Sequence, residues 1–224
     1  MKKGERKDEI YKSLDKDQLH ILLDYVDRRA ERFLNTTRGQ TAVNTWFMVR
    51  LGLVSGLRIA EIAHCQHDWL RTNGKYMILT VKKGKRTRSK DRRDRHSEKV
   101  FKKRQVYLPL AFQEILNIFT AWKEKNELPT HGEAPLLCHN GGSGYSPRGL
   151  MKVFKKAIQG CGIEDADMYS SHSMRHSALS LLYSKTKDLR LVMNNAGHTS
   201  LQVTSKYQHL NEEDKAAVNN LSFE

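Results

Sequence analysis

The order of apolar and polar residues predicts a helix close to the start of the chain. Asp15 is suited to cap its N-terminus, because Gln18 follows three residues later and Leu14 can pack against Leu19. Apolar residues then recur every three or four positions, which places them on one helix face. These residues are Leu19, Leu22, Leu23, Val26, Ala30 and Phe33. Residues 1–13 are predicted to be a polar lead-in.

Similar signals predict further helices along most of the chain. Gly56 is a natural C-terminal stop for the second helix, because glycine adopts the left-handed backbone easily. Ser146 followed by Pro147 is typical of a helix start. The predicted helices cover about 40–55, 58–65, 111–125 and 147–160, and others begin near Ser173, Asp188, Ser200 and Asn211.

The pattern changes to a period of two in the middle of the chain. Asn73-Gly74 predicts a two-residue hairpin turn, and residues 75–81 alternate in the manner of a strand. A second short strand is predicted over 105–108. The chain is therefore predicted to be an α+β protein, mostly α, with a small antiparallel β-sheet, and residues 14–224 to form one domain.

Composition narrows the class of protein. The chain has 224 residues, of which 38% are hydrophobic and 29% charged, as in globular proteins. It contains no apolar run long enough to cross a bilayer, and no apolar stretch follows the charged N-terminus as in a secretory signal. Three widely spaced cysteines favour reduced thiols over a disulfide framework. We therefore expect a cytoplasmic protein without a membrane partner.

The formal net charge of +14 is concentrated in one segment. Residues 83–103 contain eleven lysines or arginines against three acidic residues. Because each phosphate that Lys or Arg neutralises releases a condensed counterion, such a segment favours a nucleic-acid partner. It is predicted to be a long hairpin loop that contacts DNA, or else a disordered insertion. The predicted DNA-binding residues are Lys82, Lys85, Arg86, Arg88, Lys90, Arg92 and Arg93.

Four short motifs carry candidate chemistry. They are GLRIAE at 56–61, KKGK at 82–85, HSMR at 172–175, and GH at 197–198 with Tyr207 nine residues after the histidine. Each motif is common when taken alone. Their order and spacing together are distinctive.

The charged members of these motifs suit reactions at a phosphodiester. A phosphate under attack by a hydroxyl gains negative charge, which fixed donors must stabilise when no metal does so. Arg58 and Arg175 are candidates because a guanidinium binds two phosphate oxygens and stays protonated, and His198 is a third candidate donor. Glu61 lies one helical turn after Arg58. It either orients that guanidinium or forms a plain surface pair with it.

The same motifs closely resemble those of the tyrosine recombinases, the family of phage integrases and the Xer and Cre recombinases. The resemblance covers about residues 14–210. It implies that Tyr207 is the nucleophile and that Arg58, His172, Arg175 and His198 complete the catalytic set. It also implies a lysine as the general acid, for which Lys83 is the best match and Lys82 and Lys85 are alternatives.

The resemblance implies a site-specific recombinase or integrase that cleaves and rejoins double-stranded DNA through a 3′-phosphotyrosyl intermediate. No cofactor or metal is expected, because the phosphotyrosyl bond retains the energy of the cleaved diester. A homotetramer on DNA is expected, since recombining two duplexes takes four active sites. Two features depart from many family members: the short segment before residue 14 and the long basic loop. The tail, residues 211–224, is predicted to form a helix that docks on a neighbouring subunit or on its own domain.

Three alternatives remain open at the level of sequence. A metal hydrolase is suggested by His172, His176 and His198, although no acidic residue stands between the first two as in an HExxH site. A non-catalytic DNA-binding relative is the second alternative. The third is a type IB topoisomerase-like enzyme, which shares the chemistry but relaxes DNA without sequence preference.

Overall fold

The computed structural model describes residues 13–82 and 103–198. These ranges form a mostly helical fold with one three-stranded antiparallel sheet, which confirms the predicted fold class. The helices are α1 (Lys16–Leu34), α2 (Gln40–Ser55), α3 (Ile59–Ala63), α4 (Phe112–Lys125), α5 (Pro147–Gly160), α6 (Ser171–Thr186) and α7 (Leu189–Ala196). The strands are β1 (Leu70–Thr72), β2 (Tyr76–Val81) and β3 (Arg104–Pro109), in the order β1–β2–β3. The helices predicted near Ser200 and Asn211 lie outside the described residues.

The start of α1 follows the sequence signal closely. The Oδ1 atom of Asp15 accepts from the main-chain N–H of Gln18 at 2.8 Å, and the side chain of Gln18 accepts from the N–H of Asp15 at 3.1 Å. This reciprocal pair satisfies two of the amides that a helix N-terminus leaves without partners. The predicted N-cap is therefore confirmed.

Helix α2 lies at the centre of the core and delivers Arg58 to the site. Most of its side chains are buried, and Phe47 stacks on Phe119 of α4 with ring centroids 4.0 Å apart. The helix ends at Gly56, which has a φ of 64°. A Cβ at this position would lie 2.9 Å from Cδ2 of Leu179, so both the backbone angle and the close approach of α6 favour glycine.

The hairpin turn predicted at Asn73-Gly74 is wrong by one residue. Thr72 pairs with Met77, so the two central residues of the turn are Gly74 and Lys75. The side chain of Asn73 accepts from the main-chain N–H groups of Lys75 and Tyr76, at 3.1 and 3.0 Å. Asparagine thus sits before the turn, where its side chain closes it, and the φ of 85° falls on glycine.

Strands β2 and β3 are antiparallel neighbours, with Val81 opposite Arg104. The basic segment of residues 83–103 therefore connects two paired strands, as predicted. All of this segment except Lys103 lies outside the described residues. The pairing alternates its side chains, so that Val106 and Leu108 of β3 face the core.

Helix α6 begins two residues earlier than predicted. Ser170 is its N-cap, and the Oγ atom of Ser173 accepts from the N–H of Ser170 at 3.0 Å. Ser173, near which the helix was predicted to begin, is thus its third residue, where it completes a capping box. This register places His172 in the first turn and Arg175 one turn later.

Helix α7 is attached to the main core through α6 and β3. Leu179, Val192 and Ala196 form a small apolar cluster between α6 and α7. Asp188 caps the N-terminus, where it was predicted to start the helix, by accepting from the N–H groups of Arg190 and Leu191. This short helix ends beside the site.

Lys123, a residue of α4, is fully buried. Its Nζ atom donates to the carbonyl oxygens of Pro135 and Leu136, at 2.8 and 3.2 Å, and lies 2.9 Å from Nε2 of His67. Since an ammonium group only donates, the histidine nitrogen accepts. The lysine thus holds the connection after α4 against the core.

The helices of the described ranges are all too short or too polar to cross a bilayer. Cys65, Cys138 and Cys161 all lie within these ranges as free thiols.

Candidate active site

Arg58 lies between α2 and α3. Its main-chain N–H donates to Oε2 of Glu61 at 2.8 Å, and its Nη1 donates to Oε1 at 3.2 Å. The same Nη1 donates to the carbonyl oxygen of Ala196, 3.3 Å away. The side chain is 31% exposed, so part of the guanidinium is open to a ligand.

Arg175 lies deeper and is nearly inaccessible, with 4% of its side chain exposed. Its Nη1 donates to the carbonyl of Gly56 and its Nη2 to that of Ala196, both at 2.7 Å. Arg58 and Arg175 therefore donate to one carbonyl at the end of α7. Carbonyl oxygens at a helix C-terminus carry partial negative charge, which stabilises nearby cations. The structure thus brings the two predicted phosphate-binding arginines together.

His198 follows Gly197, the left-handed residue that ends α7. Its Nε2 lies 3.0 Å from Nη2 of Arg175, and because a guanidinium only donates, Nε2 accepts and the proton of the neutral ring is on Nδ1. Burial, and then the charges of Arg175, Arg58 and Arg104, lower the pKa of His198 to about 4. The ring is therefore neutral at pH 7 and can donate to a phosphate only through Nδ1.

Glu61 is fully buried, so the alternative of a surface pair with Arg58 is wrong. Its carboxylate accepts from Arg58, and also from both Nη atoms of Arg104 at 2.8 and 2.9 Å. Burial by itself would raise the pKa of this carboxyl group. The hydrogen bonds and charges of Arg104 and Arg58 outweigh it and hold the pKa of Glu61 below its usual value.

Arg104 is the site residue that the sequence analysis missed. It is the first residue of β3, and its Nε donates to the carbonyl of Asn195 at 3.1 Å. A signal was present in the strand, because Arg104 shares a face with the buried residues Val106 and Leu108. A basic residue in phase with two core positions is typical of a buried ion pair.

These groups border a cleft of about 310 Å³. Arg58 and Arg175 line it, together with Ser171 and His172 at the start of α6. His172 is exposed there. The exposed side chain of His64 completes the rim. The cleft thus combines two permanent cations with two exposed histidine side chains.

Other predicted site residues lie outside the described part of the chain. These are Tyr207, Lys83, Lys85, Arg86, Arg88, Lys90, Arg92 and Arg93. Lys82 is described, at the end of β2, where its ammonium group pairs with the carboxylate of Asp68. Its roles as a DNA contact or as a general acid stay predictions.

The metal-hydrolase alternative gains no support from the described residues. Within 13–82 and 103–198, no three His, Cys, Asp or Glu side chains are arranged to hold a metal ion. His198 faces the guanidinium of Arg175, which would repel a cation.

Comparison with known proteins decides the family. The model of the Phage integrase family matches residues 12–214. The chain belongs to this family. Its described fold is also that of solved recombinases: the XerH site-specific recombinase bound to a palindromic difH substrate superposes with a TM-score of 0.70 at 20% identity, over 96% of this chain and 54% of XerH.

The chain is also similar to curated proteins that are named tyrosine recombinases. It is 28% identical over 213 residues to tyrosine recombinase XerS of Lactococcus lactis subsp. cremoris (strain MG1363), which covers 92% of the chain and 54% of XerS. It is 27% identical over 167 residues to tyrosine recombinase XerH of Helicobacter pylori (strain ATCC 700392 / 26695), covering 74% of the chain and 41% of XerH. The family assignment made from the motifs is confirmed. The chain spans about half the length of the curated relatives it matches.

Proposed function

We propose that this protein is a site-specific DNA recombinase or integrase that cleaves and rejoins strands through a 3′-phosphotyrosyl bond to Tyr207. The observation that carries the proposal is the convergence of Arg58 and Arg175 on the carbonyl of Ala196, with His198 against Arg175. Membership of the Phage integrase family supports it. Arg58 lies more than a hundred residues before Arg175 and His198 in the sequence, so the fold brings them together.

The two arginines stabilise the charge that develops on the scissile phosphate. As the phosphorus gains a fifth oxygen, its non-bridging oxygens become more negative, and fixed guanidinium groups bind that state better than the ground state. Arg58 has the exposed surface for direct contact. Arg175 is held by two main-chain carbonyls, so little reorganisation is needed during the reaction. His198, neutral at pH 7, donates through Nδ1.

The remaining steps are the transfer of the phosphate to Tyr207 and the two proton transfers that accompany it. The phenol oxygen of Tyr207 attacks phosphorus while its proton passes to a base, for which the exposed His172 in the first turn of α6 is suited. A phosphorus–oxygen bond to Tyr207 forms and the bond to the 5′ oxygen breaks. Lys83 protonates the departing oxygen. Attack by a 5′ hydroxyl on the phosphotyrosyl bond reverses the sequence, so no cofactor is needed.

The charge of the chain fits double-stranded DNA as the partner. The basic segment 83–103 leaves the sheet between β2 and β3, next to Arg104 of the site. It is suited to contact phosphates beside the cleavage point. The protein would act on DNA in the cytoplasm, as a homotetramer on two duplexes. Residues 14–224 would be its catalytic domain, and residues 211–224 would form a tail helix that docks on a neighbouring subunit or on its own domain.

A suicide substrate tests the proposal. A nicked duplex releases a short fragment on cleavage, so that a covalent protein–DNA adduct accumulates and is seen as a shifted band on a denaturing gel. The wild type is expected to form this adduct in the presence of EDTA, and Tyr207→Phe to form none. Tyr76→Phe, which removes an exposed phenol from β2, is the matched control and should form it normally.

The outcomes separate the alternatives. An adduct in Tyr207→Phe would refute the nucleophile, and inhibition by EDTA would restore the metal-hydrolase alternative. Relaxation of a supercoiled plasmid without a target site would favour the topoisomerase-like enzyme. A 5′-thio leaving group needs little protonation, so it should rescue Lys83→Ala. If it does not, the general acid is another residue.

A further inference from the structure

Arg104 contacts the candidate active site through the carboxylate of Glu61. Both of its Nη atoms donate to Glu61, one to each carboxylate oxygen, in the parallel arrangement that makes an arginine–carboxylate pair strong and directional. Its side chain is 13% exposed and that of Glu61 is 1% exposed. The pair is therefore screened from water, and its geometry is fixed by the fold.

The pair between Arg104 and Glu61 limits how much of the Arg58 guanidinium is needed to balance the carboxylate of Glu61. A buried carboxylate needs its charge balanced. Arg104 supplies a full fork of donors, so Arg58 gives Glu61 one Nη1 contact at 3.2 Å and keeps part of its guanidinium exposed at the cleft. Arg175 approaches the carboxylate only to 4.0 Å. Without Arg104, the guanidinium of Arg58 would be the nearest cation left to balance the carboxylate.

Arg104 also fixes the end of α7. Its Nε donates to the carbonyl of Asn195, and its side chain fills the space beside Gly197, where a Cβ would lie 2.9 Å from Cδ and Nε. The next residue is His198, whose ring rests against Arg175. One side chain thus contacts the carboxylate that orients Arg58 and the turn that presents His198.

We propose that Arg104 is a positioning residue of the active site, which keeps Arg58 directed into the cleft by holding Glu61 and keeps His198 in place by holding the end of α7. The inference rests on the proposed function. It adds a residue, on the strand at the root of the basic segment, that acts on catalysis without touching the phosphate.

The test measures single-turnover cleavage of the suicide substrate at saturating DNA, together with the dissociation constant and the thermal unfolding midpoint. The variants are Arg104→Gln, Arg104→Lys, Glu61→Gln and the Glu61→Gln/Arg104→Gln double. Arg71→Gln is the control, because it removes one positive charge from an exposed position on β1. Circular dichroism verifies folding.

A displaced arginine should slow chemistry more than binding, since misplacement by about 1 Å costs on the order of 100-fold in rate. Arg104→Gln is expected to lower the cleavage rate constant about 100-fold, with a change of less than about threefold in the dissociation constant. Arg104→Lys keeps the charge and should recover part of the rate. Because Arg104 acts through Glu61, the double variant should be little slower than the slower single variant.

Two results would overturn the inference while leaving the proposed function intact. One is a wild-type rate in Arg104→Gln with only a lower unfolding midpoint; the other is multiplicative losses in the double variant. If Arg104→Gln does not fold, Arg104→Lys with and without Glu61→Gln decides in the same way. Failure of wild type and Arg71→Gln to form any adduct would instead refute the proposed function, and the inference with it.

Discussion

The Nε2 atom of His198 lies 3.0 Å from the Nη2 atom of Arg175. The imidazole therefore accepts a hydrogen bond from a group that never loses its proton, and protonating it would place two cations in contact. This contact links the protonation of His198 to the integrity of the site.

The pKa of His198 is expected to be about 4 and to rise only part of the way toward 6.5 in Arg175→Gln, because the charge of Arg175 is removed while burial, the larger cause of the low pKa, remains. Titration of the imidazole signals by NMR measures it. Arg190→Gln, which removes a charge from the exposed face of α7, is the control and should leave the titration near its wild-type position. An unchanged pKa in Arg175→Gln would contradict the contact.

The stability of the fold should depend on pH between about 4 and 6.5. His67 and His198 both have a pKa lowered to about 4, chiefly by burial, whereas the unfolded chain titrates near 6.5. Within this window the unfolded state binds more protons, so the free energy of unfolding falls as the pH falls. Urea unfolding at a series of pH values measures it. His67→Gln should flatten the dependence, and His20→Gln, at an exposed position on α1, should not.

Gly197→Ala should impair both stability and cleavage. Its φ of 63° costs an L-residue about 1–2 kcal/mol, and the new methyl group would press on Arg104. Gly162→Ala is a matched control, because its φ of 79° imposes a similar backbone cost while nothing lies within 4 Å of the added Cβ. Both variants should lose stability, measured by urea unfolding, but only Gly197→Ala should slow adduct formation at saturating DNA. Equal cleavage rates would show that the approach of Arg104 to this turn is unimportant.

Lys123→Met should destabilise the fold by about 1–3 kcal/mol, the cost of leaving buried polar groups without donors. The carbonyls of Pro135 and Leu136 lose their partner, although the apolar stem is largely replaced. Lys125→Met, two residues on and exposed, removes a single hydrogen bond to Asn35 and should cost less than about 0.5 kcal/mol. The free energies of unfolding in urea compare the two. Equal losses would contradict a structural role for the buried ammonium.

Sequence predicted the elements whose signals are local. Each of three helix ends is determined by residues within four positions of it, and the observed helices follow these signals. They are Asp15 with Gln18 for α1, Gly56 for α2, and Ser146 before Pro147 for α5. The motif residues Arg58, Arg175 and His198 were identified as a set because of their spacing and their resemblance to a known family.

The errors and omissions concern contacts between distant residues. The turn after β1 was misplaced by one residue because register depends on pairing with β2, which the Asn-Gly pair alone does not specify. The buried carboxylate of Glu61 is paired with Arg104, which lies 43 residues away in the sequence. Spacing within one helix showed the carboxylate beside Arg58 but gave no indication that the pair is inside the protein.

The shared acceptor at Ala196 links both arginines to the end of α7. A single peptide oxygen receives Arg58 and Arg175, and it belongs to the last turn of a helix of only eight residues. Loss of that turn would take one acceptor from both guanidinium groups at once and would displace the backbone that carries His198, while Arg175 would keep its bond to Gly56 and Arg58 its contact with Glu61. The geometry of these phosphate-binding candidates thus depends on one short stretch of backbone.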